Sequence, residues 1–139
     1  MKTTVRYYTR SGNTKKLAEA IAKEAGAEAK ECSAPLTEPV DLLFLGGSVY
    51  WGGIDKNLRQ FIAQLDKEKV KCVAVFGTSA LKKEPDLELE KLVREKGIPV
   101  SRHSFHCWGA FAAMHKGHPD SDDLKQAANF VQAALNEVK

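Results

Sequence analysis

Cysteine is scarce in this chain of 139 residues, which has only Cys32, Cys72 and Cys107. Because these three are far apart and odd in number, they predict neither a disulfide framework nor a metal site of the CxxC type. We expect them to be small buried side chains in a reducing compartment, the cytoplasm. Long apolar runs are also absent, and residues 1–8 lack the apolar core of a secretory signal, so we expect no membrane partner.

Charge of one sign is not concentrated anywhere in the sequence. The formal net charge is +3, and the densest basic cluster, Lys67, Lys69 and Lys71, alternates with Glu68 and apolar residues. A nucleic-acid-binding protein more often carries a concentrated basic stripe, so we expect no nucleic-acid partner. The four histidines lie late in the chain, but no carboxylate or cysteine completes a recognisable ligand set, so we expect no metal site.

Short apolar runs alternate with helical patterns along the chain. A run that is apolar throughout, such as 42–45, is typical of a strand buried on both faces of a sheet. The predicted strands are 3–9, 27–32, 42–45, 70–76 and one within 100–111, and the predicted helices are 13–25, 56–65, 85–96 and one capped by Ser121. This alternation predicts an α/β fold of three layers, with helices on both faces of a doubly wound, five-stranded parallel sheet. We expect one domain, 1–139.

The junction between the first strand and the first helix has the composition of a phosphate-binding turn. It reads Tyr8-Thr9-Arg10-Ser11-Gly12-Asn13-Thr14. Its small residues can wrap backbone N–H groups around a phosphate at the positive end of the helix, and its hydroxyls can donate further hydrogen bonds. Neither G-x-x-x-x-G-K-S/T nor G-x-G-x-x-G occurs, which argues against an NTP-hydrolysing P-loop and an ordinary dinucleotide fingerprint. The simpler alternative is that Asn13 or Thr14 merely caps the helix.

The run from Thr9 to Thr14 resembles the phosphate loop of the flavodoxin family. That loop follows the pattern Thr/Ser-x-Thr/Ser-Gly-x-Thr, and every defined position is met here. The resemblance implies the family's strand order, 2-1-3-4-5, and FMN as the cofactor. It also implies that the terminal phosphate of FMN binds at six consecutive residues: Thr9, Arg10, Ser11, Gly12, Asn13 and Thr14.

Two further segments resemble the parts of this family that surround the flavin ring. In flavodoxins the loop after the third strand wraps the ring and usually supplies a stacking aromatic, for which Tyr50 and Trp51 are the candidates. The alternative is that both pack on the neighbouring helix. The residues implied are Ser48, Val49, Tyr50, Trp51, Gly52 and Gly53 in this loop, and Gly77, Thr78 and Ser79 after the fourth strand. We expect all three loops at the carboxyl ends of strands, at the switch point where open α/β sheets bind ligands.

Two features depart from the family's pattern. Residues 33–40 contain Pro35 and Pro39 and predict a loop where the family has a helix. Arg6 occupies a central-strand position that the family fills with an apolar residue, so its side chain must snorkel to solvent or meet a carboxylate.

The function that the resemblance implies is electron transfer through FMN, with redox proteins as partners and no catalytic residue of the chain's own. We expect a one-electron carrier that stabilises the neutral flavin semiquinone. Glycine peptides in Trp51-Gly52-Gly53 can turn a carbonyl towards the new N–H of that state. Two alternatives stay open: an FMN-dependent NAD(P)H or quinone reductase, and a regulatory or binding domain that has lost the flavin.

Overall fold

The computed structural model describes residues 1–9, 12–49, 54–79, 87–108 and 119–139. Within these residues the chain forms five parallel strands and four helices. The sheet has the order β2-β1-β3-β4-β5, and every pair of neighbouring strands is parallel. This confirms the predicted α/β architecture and the strand order 2-1-3-4-5. The elements are β1 (Thr3–Tyr8), α1 (Asn13–Ala25), β2 (Ala29–Glu31), β3 (Leu42–Val49), α2 (Lys56–Ala63), β4 (Val73–Ser79), α3 (Leu87–Glu95), β5 (Phe105–Trp108) and α4 (Ser121–Val138).

Helices cover both faces of the sheet. On one face α1 and α4 bury Leu17 and Phe130, and Phe130 meets Phe44 of β3 edge-on, with ring centroids 5.6 Å apart. On the other face α2 and α3 bury Leu58 and Val93 against β3 and β4. The central strands are therefore covered on both sides, which explains why residues 42–45 are apolar throughout. Among the described helices, none combines the length and the apolar character that a membrane crossing requires.

The ends of two helices test the sequence predictions directly. The predicted stop at Gly26 is confirmed, since Gly26 takes a φ of +67° and its N–H bonds the last turn of α1. The predicted cap at Ser121 is wrong, because Ser121 is already the first helical residue of α4. The N-cap is Asp120, whose carboxylate accepts from the N–H of Asp123, while the Asp123 carboxylate accepts from the N–H of Asp120. Two reciprocal hydrogen bonds stabilise this helix end better than one hydroxyl could.

The central strands β3 and β4 run further than predicted. The sequence placed their ends at 45 and 76, because glycine normally signals a turn. In the structure Gly46, Gly47 and Gly77 lie inside the strands, and their missing side chains make room for close neighbours. A Cβ at Gly46 would overlap the ring of Phe76, and a Cβ at Gly47 would overlap Leu58 of α2.

The connection between β2 and β3 contains no helix, as predicted, and Arg6 holds it in place. Arg6 is only 6% exposed. Instead of reaching solvent, its guanidinium donates to the carbonyl of Ala34 at 2.9 Å, to that of Pro35 at 3.4 Å and to the hydroxyl of Thr4 at 2.9 Å. Burial lowers the pKa of Arg6, and the nearby Glu28 carboxylate offsets part of that shift. The guanidinium therefore supplies donors to a loop whose carbonyls have no strand partner.

We expect Arg6→Met to lower the free energy of unfolding by about 1–2 kcal/mol. Methionine retains most of the aliphatic packing but removes the donors to Ala34, Pro35 and Thr4. Urea unfolding of the full chain measures the change. Arg102→Met is the matched control, since the Arg102 side chain is 81% exposed and pairs with Glu137 at the surface. Its effect should stay below about 0.5 kcal/mol, and equal losses in both variants would contradict the role assigned to Arg6.

Candidate functional site

The turn from β1 into α1 is fixed by the hydroxyl of Thr9. Its Oγ1 accepts a hydrogen bond from the backbone N–H of Gly12 at 2.9 Å. Gly12 is the N-cap of α1 and has a φ of +86°, a conformation that glycine adopts at little cost. Among the described residues other than its chain neighbours, no atom lies within 4 Å of where a Cβ at Gly12 would be. Capping by Asn13 or Thr14 is therefore not what begins this helix, because the cap position belongs to a residue with no side chain.

The start of α1 carries no carboxylate. The first turn of α1 contains no acidic residue and includes Lys15, whereas the Nζ of the next residue, Lys16, donates to the carbonyl of Pro119 at 2.6 Å. A helix dipole favours anions at this end, so Lys15 is unfavourable here unless an anion offsets its charge. The start of α1 therefore suits a phosphate. The other helices begin beside carboxylates: Asp55 caps α2, Glu88 and Glu90 lie in the first turn of α3, and Asp122 and Asp123 lie in the first turn of α4.

A buried hydroxyl pair joins this turn to the end of β4. The Oγ1 atoms of Thr14 and Thr78 are 2.9 Å apart, and the two residues are 0% and 1% exposed. The sequence predicted both as cofactor-binding residues and gave no indication that they touch each other, because 64 residues separate them. The contact fixes the first turn of α1 against the sheet, so a ligand at that turn meets a rigid helix end.

The carboxyl edge of the sheet brings the other predicted site residues together. In the pairing of β3 with β4, Gly47 lies opposite Gly77, Ser48 opposite Thr78 and Val49 opposite Ser79. Tyr8, at the end of β1, lies opposite Gly47 on its other side. The β1–α1 turn and the chains that leave β3 and β4 therefore start from adjacent points.

Several predicted site residues lie outside the described residues: Arg10, Ser11, Tyr50, Trp51, Gly52 and Gly53. The side chains of Ser48, Val49, Ser79 and Trp108 lie outside them as well, although their backbone positions are described. Gly12, Asn13 and Thr14 begin α1, and Gly77, Thr78 and Ser79 end β4. The assignment of these residues to a cofactor stays a prediction.

Beside Gly77 lies a buried histidine, His106, which the sequence had grouped with the other late histidines and had separated from Cys107, because adjacent strand residues face opposite sides. His106 of β5 is the register partner of Gly77, and its Cδ2 and Nε2 lie 3.1 and 3.3 Å from where a Cβ at Gly77 would be. Burial lowers the pKa of His106 to about 4, so its ring is neutral at neutral pH. The alternation of residues along β5 is the sequence signal that places His106 on the opposite face from Cys107, which joins the core beneath α1 and α4.

We expect Gly77→Ala to destabilise the protein by about 2 kcal/mol. The new Cβ would lie 2.6 Å from the carbonyl oxygen of Gly47, a backbone atom of the neighbouring strand that cannot move aside cheaply. Gly47→Ala is the matched control, because its Cβ would meet the flexible end of Leu58 instead. Urea unfolding of both variants should give the smaller loss for Gly47→Ala. The reverse order would show that the close approach of β3 and β4 is not the cause.

Comparisons with known proteins agree with the resemblance seen in the sequence. A family model described as a flavodoxin domain matches residues 4–107. An uncharacterized protein of Methanocaldococcus jannaschii is 28% identical over 136 residues, a match that covers 88% of this chain and 90% of that protein.

Solved flavodoxins share the fold of this chain. A flavodoxin from the domain Archaea superimposes with a TM-score of 0.80 and 19% identity over 99% of both chains. The oxidised flavodoxin 2 of Bacillus cereus superimposes with a TM-score of 0.75 and 20% identity, again over 99% of both chains. At these identities the likeness establishes the architecture, including the placement of the β1–α1 turn at the carboxyl edge.

Proposed function

This chain belongs to the flavodoxin family, and from that premise we propose that it binds FMN and carries single electrons between redox proteins. The observation that carries the proposal is the start of α1, where a glycine N-cap and Lys15 stand in place of the carboxylates found at the starts of the other helices. When bound, FMN supplies a ring that can take up and return one electron at a time. The chain's own residues bind it, orient it and set its surroundings.

We assign the terminal phosphate of FMN to residues 9–14. Thr9 fixes the turn through Gly12, and the positive φ of Gly12 lets the backbone pass close to a ligand. Lys15 follows within the first turn of α1 and adds positive charge near a phosphate. Arg10, Ser11, Asn13 and Thr14 complete the proposed set. Because the turn lies where β1 and β3 are neighbours, it is at the switch point of the sheet.

We assign the flavin ring to the segments that leave β3 and β4. Their backbones are brought side by side by the pairing of Val49 with Ser79. Tyr50 or Trp51 stacks on the ring in this proposal, with Ser48, Val49, Gly52 and Gly53 around it and Gly77, Thr78 and Ser79 at its far edge. The neutral ring of His106 beside Gly77 adds no charge to this edge of the sheet at neutral pH.

The charge of the chain bears on the proposed redox partners. The net charge of the chain is +3, and the phosphate of bound FMN, at about −1.5 to −2, leaves the loaded protein weakly positive, so long-range attraction weakly favours a partner that presents an acidic docking face. Electron exchange with such a partner should slow as the salt concentration rises, because exposed charges are screened.

Stepwise anaerobic reduction of the FMN-loaded protein tests the one-electron proposal. We expect absorbance of a blue, one-electron-reduced flavin to rise and then fall between the oxidised and fully reduced forms. Gly52→Ala and Gly53→Ala should diminish it, because the added methyl group disfavours the peptide turn that accepts the new N–H. Direct two-electron reduction, together with rapid reduction by NADPH alone, would instead favour the reductase alternative. A chain that takes up no FMN would favour the regulatory alternative.

A further inference from the structure

A cavity of about 400 Å³ opens between the carboxyl ends of β1 and β2 and the side of α2. Its volume is within the range of small-molecule sites. The cavity adjoins the β1–α1 turn, since Tyr8 lines it and Thr9 begins the turn. It lies over the β2 side of β1, whereas the proposed flavin ring lies towards β4, so the two sites are neighbours and do not coincide.

The cavity exists because the chain crosses from β2 to β3 without a helix. Such a crossover usually covers the sheet with a helix, and here the flank of α2 stays uncovered. The turn that forms the opposite wall is held by several contacts. The N–H of Cys32 donates to the carbonyl of Tyr7 at 2.8 Å, the N–H of Ala34 donates to the carbonyl of Glu31 at 2.9 Å, and Arg6 binds the carbonyl of Ala34. These hydrogen bonds therefore fix the position of this wall in the folded chain.

The chemistry of the lining selects a polar, uncharged ligand. Asn57, Gln60 and Gln64 present three carboxamides from the side of α2, and Glu31 presents a carboxylate from the end of β2. No lysine, arginine or histidine lies among the described residues that line the cavity, so nothing there matches a phosphate. Asn57 is oriented by Asp55, whose Oδ1 accepts from its amide nitrogen at 2.8 Å.

The apolar part of the lining suits a flat ring. Tyr8 is partly buried and contributes most of the aromatic surface, because Phe61 is only 6% exposed. Planar bases stack well on such side chains. Cys32 also lines the cavity, and burial raises the pKa of its thiol to about 11. The thiol is therefore protonated at neutral pH and adds apolar surface to the wall rather than reactivity.

We propose that this cavity binds a nucleoside with an intact ribose 2′,3′-diol. Glu31 accepts hydrogen bonds from the diol, and the carboxamides of Gln60 and Gln64 pair with the edge of the base, as carboxamides do with adenine. The nucleoside can be free, or it can be one half of a nicotinamide dinucleotide whose phosphates stay outside the cavity.

Titration of the full chain with adenosine and with 2′-deoxyadenosine tests the proposal. We expect saturable binding of adenosine, seen in the NMR signals of the Gln60 and Gln64 carboxamides, and binding of 2′-deoxyadenosine that is at least about tenfold weaker. Glu31→Gln should remove most of that preference. Glu68→Gln is the matched control, since it neutralises an exposed carboxylate in the turn after α2, at the opposite edge of the sheet, and should leave both affinities unchanged.

A second pair of ligands identifies the source of the nucleoside. NADH that binds more tightly than adenosine points to the dinucleotide, and NADH that binds no better points to the free nucleoside. NADPH should bind more weakly than NADH, because its 2′-phosphate meets the carboxylate of Glu31.

The proposal is overturned if adenosine binding does not saturate, if the preference of the protein for adenosine over 2′-deoxyadenosine survives Glu31→Gln, or if NADPH binds as well as NADH. It is also overturned if adenosine displaces FMN, since binding would then occur at the flavin site. The outcomes with adenosine, 2′-deoxyadenosine, NADH and NADPH do not depend on whether FMN itself binds.

Discussion

Gly12→Asp is expected to weaken FMN binding at least about a hundredfold, or about 3 kcal/mol. The carboxylate would stand at the N-cap of α1, which is the position we assign to the phosphate of FMN. No atom of the described residues, its chain neighbours apart, lies within 4 Å of a Cβ at Gly12, so the new side chain acts mainly through its charge. Titration of the apoprotein, followed by quenching of flavin fluorescence, measures the loss.

Gly12→Asn separates charge from backbone strain. Gly12 has a φ of +86°, and asparagine and aspartate tolerate that conformation better than other residues do. The two variants therefore share the strain and the side-chain size, and both can cap the helix. We expect Gly12→Asn to bind FMN much more tightly than Gly12→Asp does. If the two variants lose the same affinity, the phosphate is not at the start of α1.

The free energy of unfolding of the apoprotein is expected to fall by about 3 kcal/mol as the pH drops from 6.5 to 4, through His106 alone. Burial lowers the pKa of folded His106 to about 4 from an ordinary value of 6.5. Between these two values the unfolded chain binds a proton that the folded chain does not, so acid favours unfolding. Above about pH 7.5 the ring is neutral in both states, and its contribution no longer changes with pH.

His106→Gln should remove this part of the pH dependence, whatever it does to stability at neutral pH. Urea unfolding at a series of pH values gives the slope of the unfolding free energy against pH directly. Ser104→Ala is the control, because it changes a side chain without a titratable group just before the same strand, and it should keep the slope of the parent protein. A parent and a His106→Gln variant with equal slopes would mean that His106 takes up its proton normally in the folded state.

The architecture was readable from the sequence because its determinants are local and repeated. The apolar stripe of residues 13–25 predicted α1 with its bounds, and Gly26 marked its end. The run at 42–45, which is apolar at every position, indicated a strand covered on both faces. The two core clusters, one on each face of the sheet, confirm this. Strand order followed from the family resemblance carried by residues 9–14, a pattern short enough to be recognised without any knowledge of contacts.

Features that depend on contacts between distant residues could not be predicted from the sequence. Gly77 was interpreted as the beginning of a loop, whereas its absent side chain admits the backbone of Gly47 and the ring of His106. The hydroxyl contact between Thr14 and Thr78 joins two segments that no local pattern connects. The sequence did not explain an arginine in a central strand. In the structure the Arg6 guanidinium donates to the carbonyls of Ala34 and Pro35. The same loop opens the cavity beside α2, which no spacing of residues had indicated.

The most direct test of the account is a comparison of FMN with riboflavin on the apoprotein. The two ligands share the flavin ring and the ribityl chain, so a difference in affinity reports on the phosphate alone. An anion at the start of α1, beside Lys15 and a turn that Thr9 and Gly12 shape, should make FMN bind at least about a hundredfold more tightly than riboflavin. FAD, which carries an adenosine half beyond that phosphate, should also bind more weakly than FMN. Equal affinity for FMN and riboflavin would contradict the account at its centre, because the phosphate would then have no site in the β1–α1 turn.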